Sequence, residues 1–285
     1  MVQRAVAMLL FLVAAVSGTG AEPDLIVLDN GAIRVEFDPG VFAVRFVGVP
    51  GGENAIAPLP IPKESEREHD WVDAGGLQTD LLPFTGLDPA IRRGPGKVLE
   101  VRSDYFAVLG PVSSVSGMQV KKEVQLVGRE GKARFRVTAF RAGPEPGPCA
   151  IRNTARLQAG SSVRLERKEG EVRMLSGGAQ LVPFVVRSLK YWLIPVPPTA
   201  RAEKVVLGAF ASGCATENKS GFWTRKLSDK PSKPEGVSNG CTFLCLLDDA
   251  TKTYGVALQS ETKTLATGAS MSLEEEWKVE RRGRK

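Results

Sequence analysis

The chain has 285 residues, of which a quarter are charged, and a formal net charge of +6. That length is enough for one large domain or two small ones with an ample core. Arg4 and the tail cations Arg281, Arg282, Arg284 and Lys285 supply five of the six net charges, so the body between them is nearly neutral. No nucleic-acid-binding motif accompanies the basic ends, and the tail reads as a solvated terminus.

The opening MVQRAVAMLLFLVAAVSGTGA has a basic start, an apolar run from Ala5 to Val16, and small residues at Thr19 and Ala21. This is the pattern of a cleaved secretory signal. The run of about 12 residues falls short of the roughly 20 that span a bilayer. Residues 1–21 are therefore expected to be removed, leaving 22–280 as a single domain followed by the basic tail 281–285, with no membrane span and a secreted or periplasmic location.

From there alternation governs the sequence. In GAIRVEF, Ile33, Val35 and Phe37 oppose Arg34 and Glu36, the period of a half-buried strand. MQVKKEVQLV repeats it with Val120, Lys122, Val124 and Leu126 on one face, and KARFRVTAF with Ala133, Phe135, Val137 and Ala139. AIRNTARL, SVRLER, KVVLGAF, GFWTRKL, CTFLCLL, YGVALQS and SLEEEWKV are further strands, separated by turn signals such as DPG, GREGK and RAGPEPGP. No stretch sustains a helical period beyond a short turn around Asp88 to Arg92. Two packed antiparallel sheets are the economical way to hide so many one-sided strands. Two irregular stretches interrupt the beat, Pro50 to Gly96 and Leu227 to Gly240; the first, bearing glycines and aromatics, is the candidate for function, and the second reads as a solvated excursion.

Cys149, Cys214, Cys241 and Cys245 would meet an oxidising compartment after export. Cys241 and Cys245 lie on one strand about 13 Å apart, too far to bond each other. Either could reach Cys214 across a neighbouring strand, while buried free thiols fit equally well. With one histidine and no CxxC pair, a zinc site is disfavoured. Serine elbows of the G-x-S-x-G type and phosphate loops are missing, so no cofactor is implied.

LDNGAIRVEFDPGVFAVRFVGVPGGENAI resembles the first hairpin of the galactose mutarotase-like supersandwich, where an asparagine-glycine pair leads a strand. YGVALQSETKTLATGASMSLEEEWKV resembles its last hairpin, with Thr267 in place of the usual proline. The middle, from WVDAGGLQTDLLPF through the two long strands that follow, is similar to a secreted bacterial branch with a tryptophan and a double glycine near the groove. The resemblance implies an all-β supersandwich with a concave face where relatives bind sugars. Mutarotases use two histidines, an aspartate and a glutamate: a histidine protonates the ring oxygen and the glutamate takes the anomeric proton. This chain has only His69, so mutarotation by those residues is not expected. Glu261, in LQSET, lies near where the glutamate would be sought.

The candidate site residues follow from this. His69, flanked by Glu68 and Asp70, is a candidate acid or base, although ESEREHD also reads as a solvated charged run. Trp71 can stack on a sugar face or plug one end of the sandwich. Asp73, Gln78 and Asp80 can bond hydroxyls or cap turns. Glu274, Glu275 and Glu276 are expected to form an exposed strand face, although alternation sets Glu275 in line with Leu273, Trp277 and Val279, where a buried carboxylate would be unusual. Three functions fit: a carbohydrate-binding sandwich without catalysis, a carbohydrate-active enzyme using cleft carboxylates (epimerase, hydrolase or lyase), and an envelope scaffold with a degenerate groove. A carbohydrate is the expected ligand in the first two.

Overall fold

The computed structural model describes residues 25–58, 76–83, 88–177, 184–197, 204–219, 221–248 and 252–281. Among these the chain forms two ten-stranded sheets packed face to face, with strands numbered along the sequence. The first sheet runs, in spatial order, β1 (Ile26–Asp29), β2 (Arg34–Asp38), β3 (Ala43–Gly48), β4 (Leu77–Leu82), β9 (Gly147–Arg156), β18 (Thr253–Gln259), β17 (Phe243–Asp248), β14 (Val205–Ala209) and β11 (Arg173–Ser176). A short strand, β19 (Lys263–Leu265), also pairs with β9. The second sheet runs β12 (Val186–Arg187), β13 (Tyr191–Pro195), β10 (Ser162–Glu166), β15 (Gly213–Asn218), β16 (Gly221–Leu227), β20 (Ser270–Arg281), β8 (Lys132–Arg141), β7 (Met118–Val127), β6 (Tyr105–Val112) and β5 (Lys97–Val101).

The predicted inward rows are the rows that are buried. Ile33, Val35 and Phe37 from the first sheet and Ala133, Phe135, Val137 and Ala139 from the second meet in one apolar core shared by both layers. Each such side chain taken from water contributes about 1.5–3 kcal/mol, which sets the register, because a slip of one residue would expose the whole row.

Three expectations change. The stretch Pro50 to Gly96 is not irregular throughout: LQTDLL is β4, a central strand fully registered against β9 from Leu77↔Ala155 to Leu82↔Ala150. Its inward row contains Thr79, whose hydroxyl donates to Asn153 Oδ1, and a polar residue in that row masks the alternation. The excursion 227–240 is largely solvated, as expected, but its second half is not irregular. Its second half forms two short 3-10 turns, Pro234–Gly236 and Ser238–Gly240, with Val237 buried between them and bridged to Glu261. Glu275 is fully buried rather than exposed.

Glu275 belongs to a pair that ties the sheets together. Arg225, also 0% exposed, donates from Nε and Nη2 to its carboxylate at 2.9 and 3.0 Å. The same guanidinium donates across the core to the Val256 carbonyl at 2.7 Å and the Asn153 carbonyl at 3.0 Å. Trp277 Nε1 donates to Glu275, and the Trp277 ring stacks on Trp223 with centroids 5.1 Å apart. The second sheet therefore grips β9 and β18 of the first from behind.

A second buried cation has no such partner. Lys122 points inward from β7, donates to the Phe42 carbonyl at 2.7 Å and stands 4.3 Å from that ring. Burial pushes its pKa down to about 7, partly offset by the charge of Asp80.

Candidate functional site

The site is built from the outward face of the first sheet. Side chains that share a pairing row share a face, so the register itself places the residues. One row crosses four strands as Arg156 (β9), Gly255 (β18), Leu246 (β17) and Val206 (β14). The next runs Gln78 (β4), Thr154, Ala257 and Leu244. A third runs Asp80, Arg152 and Gln259.

The central strand supplies the hollow. Gly255 carries no side chain where its neighbours in the row carry an arginine and a leucine, and a Cβ there would come within 3.0 Å of Thr154 and 3.6 Å of Arg156 Nη1. The other members of this row, Arg156, Leu246 and Val206, line a cleft of about 170 Å³. One wall is polar, with Gln78, Asp80, Arg92, Arg152, Thr154 and Arg156; the other is largely apolar, with Val206 and Leu246; Lys204 and Asp248 stand with them.

Arg92, Asp80 and Arg152 are held by neighbouring side chains. Arg92 reaches the cleft from a short helix, α1 (Pro89–Arg93), and donates to Asp80. Pro89 suits the first turn of that helix, where no amide donor is needed. Asp88, just before it, accepts from Ser113 and Ser116 hydroxyls at 2.5 and 2.8 Å, which fastens α1 to the second sheet. Arg152 Nε donates to Gln259 Oε1 at 3.0 Å, while the Gln259 amide nitrogen donates to the carbonyls of Ser238 and Cys241. The folded half of the second excursion thus sets the position of Arg152 through one glutamine. Burial holds the Arg152 pKa below its ordinary value; Asp80 works against that and the nearby Arg92 adds to it.

Of the residues singled out from sequence, Gln78 and Asp80 stand together in this cleft. His69, Trp71 and Asp73 lie outside the described residues. The ends of their segment are fastened beside the cleft, since Ala57 N donates to the Arg156 carbonyl, Arg156 N to Gly76, and Gly76 N to Ala57. Glu261 is elsewhere: its carboxylate, 40% exposed, pairs with Lys263 at 2.7 Å and does not line the cleft. Sequence reasoning missed Arg92, Arg152, Arg156, Lys204 and Asp248. The signal for two of them was present in AIRNTARL, where Arg152, Thr154 and Arg156 share one strand face; a polar strand face reads the same whether it meets solvent or a ligand.

Among the described residues no three His, Cys, Asp or Glu side chains gather to hold a metal ion, and no helix is long and apolar enough to cross a membrane. All four cysteines are buried free thiols. Cys214 faces Cys245 from the opposite sheet rather than from a neighbouring strand. Asn218, which opens the Asn-Lys-Ser triplet of a glycosylation sequon, is buried, its amide donating to the Ala55 carbonyl.

Solved structures show the same arrangement. A putative aldose 1-epimerase from Escherichia coli K12 superposes with a TM-score of 0.55 at 10% identity, covering 91% of this chain and 99% of that one. The fold is galactose mutarotase-like. A galactose mutarotase-like protein from Lactobacillus casei ATCC 334 gives 0.54 at 10% identity over 90% and 99% of the two chains. A galactose mutarotase related enzyme from Lactobacillus acidophilus gives 0.55 at 8% over 90% and 97%. Identities this low establish the galactose mutarotase-like fold and nothing about activity. No family model and no curated protein sequence matches the chain.

Proposed function

We propose that this is an exported carbohydrate-binding protein that holds a saccharide in the cleft over Gly255, without mutarotase chemistry. The observation that carries this reading is the pairing of an apolar wall, Val206 and Leu246, with a wall of fixed hydrogen-bonding side chains, Gln78, Thr154 and Arg152. A pyranose presents the same two characters, C–H faces and hydroxyl edges, so each wall has its counterpart. The fold supports the reading because structures sharing it are described as a putative aldose 1-epimerase and a galactose mutarotase-like protein. Gln78 and Asp80 keep their proposed role as ligand contacts. Binding is favoured over proton transfer because the Asp80 carboxylate is already engaged by Arg92. His69 and Glu261 are not needed for binding in this cleft.

A glycan-array screen tests it. The purified protein should bind a restricted set of saccharides, and Gly255→Leu, which fills the floor of the hollow, should abolish that binding while the fold persists by circular dichroism. Binding untouched by the substitution would move the site elsewhere. The enzyme reading rests on Asp248, a second carboxylate lining the same cleft as Asp80. Turnover of a bound glycan that is lost in Asp248→Asn would establish it.

A further inference from the structure

The charges of the cleft do not balance. Arg92, Arg152, Arg156 and Lys204 line it against Asp80 and Asp248, so cations outnumber anions two to one. The body of the protein is otherwise nearly neutral once its two ends are set aside, so this excess is local. The arrangement is also directional. Arg152 and Arg156 stand four residues apart on one strand face, with the Thr154 hydroxyl side between them, while the pairing row of Arg156 leads across Gly255 to Leu246 and Val206. A ligand lying on the apolar wall meets a line of guanidinium groups along its opposite edge.

Two further observations agree. Arg92 keeps one buried nitrogen, Nη1, with no hydrogen-bond partner, even though its Nε is bonded to Asp80. Arg152 is bonded through Nε to a neutral amide rather than to a carboxylate, and burial disfavours its charge, with Asp80 opposing that and Arg92 adding to it. A cation in a dehydrated cleft gains most from an anionic oxygen, and a guanidinium fork matches a planar carboxylate with two parallel hydrogen bonds.

Resting on the carbohydrate-binding reading above, we propose that the ligand is an acidic saccharide, whose carboxylate or sulfate oxygens lie against Arg152 and Arg156 while its C–H face lies on Leu246 and Val206. A neutral sugar would leave the surplus cations without a counter-charge. An acidic one neutralises them, and selectivity for charge follows.

Calorimetric titration of the full chain with four probes decides it: a uronate oligosaccharide, a sulfated oligosaccharide, and the neutral oligosaccharide of matching linkage for each. The acidic members should bind at least about 30-fold more tightly than their neutral counterparts, a preference of roughly 2 kcal/mol. Preference for the uronate over the sulfated probe identifies the carboxylate as the source; the reverse identifies the sulfate. Arg152→Gln should erase the preference, bringing the acidic probes down to the affinity of their neutral counterparts measured on the same variant. Lys204→Glu, a change at an exposed residue that leaves the core untouched, should weaken acidic binding by roughly 3–10-fold at low salt and make its loss with added salt shallower. Equal affinity for acidic and neutral probes overturns this proposal and leaves the carbohydrate-binding reading standing. No binding of any saccharide overturns both.

Discussion

Two arginines, Arg225 and Arg152, show how the same side chain serves opposite ends in one protein. Arg225 lies between the sheets with zero exposure and spends its donors on Glu275 and on the carbonyls of Val256 and Asn153. Arg152 lies on the outer face of β9, next in sequence to Asn153, with a neutral amide on Nε and its guanidinium lining a cleft. The first is a charge whose hydrogen bonds are complete, and it fixes structure. The second is a charge placed beside both the Asp80 carboxylate and the Arg92 cation, and in the proposed function it contacts the ligand. The two are mechanically connected, because the carbonyls that Arg225 holds belong to the strands on which Arg152, Thr154 and Gly255 stand.

The sharpest way to break the comparison is to remove a partner from the core pair. Arg225→Met leaves Glu275 buried and unpaired, and should cost about 3–5 kcal/mol of stability in a denaturant titration. Replacing both partners with apolar residues, Arg225→Met with Glu275→Leu, should cost less than either single change, because no charge is then stranded. Arg152→Gln should cost under about 1 kcal/mol, since that side chain is not enclosed in the core. Equal losses at Arg225 and Arg152 would erase the distinction between the two.

Lys122 gives an intermediate case, a buried cation with a carbonyl and a ring beside it but no carboxylate bonded to it. Its folded pKa of about 7 lies below the ordinary 10.5, so between those values the unfolded chain binds a proton that the folded one does not. Stability from this group therefore rises with pH across that window and is lowest below it, with a slope of up to about 1.4 kcal/mol per pH unit. Denaturation curves at pH 7.5 and 9.5 should show this rise in the natural protein and not in Lys122→Met. The smallest effect concerns the cysteines. Burial raises the pKa of Cys149 to about 11 and of Cys214 to about 12, and pushes Cys245 up as well. A thiol reagent at pH 8 should label none of the four in the folded protein and all four after unfolding. Rapid labelling of the native state would show that the core opens far more readily than its packing implies.

The fold was legible because its rule is local. An apolar residue at every second position, bounded by Gly, Pro and Asp, reports one buried face without reference to any other part of the chain, and GAIRVEF or KARFRVTAF needs no more than that. Strand β4 was hidden because Thr79 interrupts its inward row, and that threonine is acceptable only because Asn153 waits 74 residues away. The cleft was half legible for the same reason. Gln78 and Asp80 stood out near the loop with Trp71, but Arg152, Lys204 and Asp248 join them only through strand pairing between β4, β9, β18, β17 and β14. Glu275 shows the limit most plainly. Three consecutive glutamates read as a solvated face, and only the arrival of Arg225 from β16 makes the middle one a core residue.

The central claim is that the outer face of the first sheet, over Gly255, is where ligand meets protein, and methyl-resolved NMR during titration with a bound saccharide tests it directly. The account predicts that the Val206 and Leu246 methyl signals move and saturate together, while those of Val98 and Val101, exposed on the edge strand of the second sheet, stay in place. Stationary Val206 and Leu246 signals at saturating saccharide would contradict it.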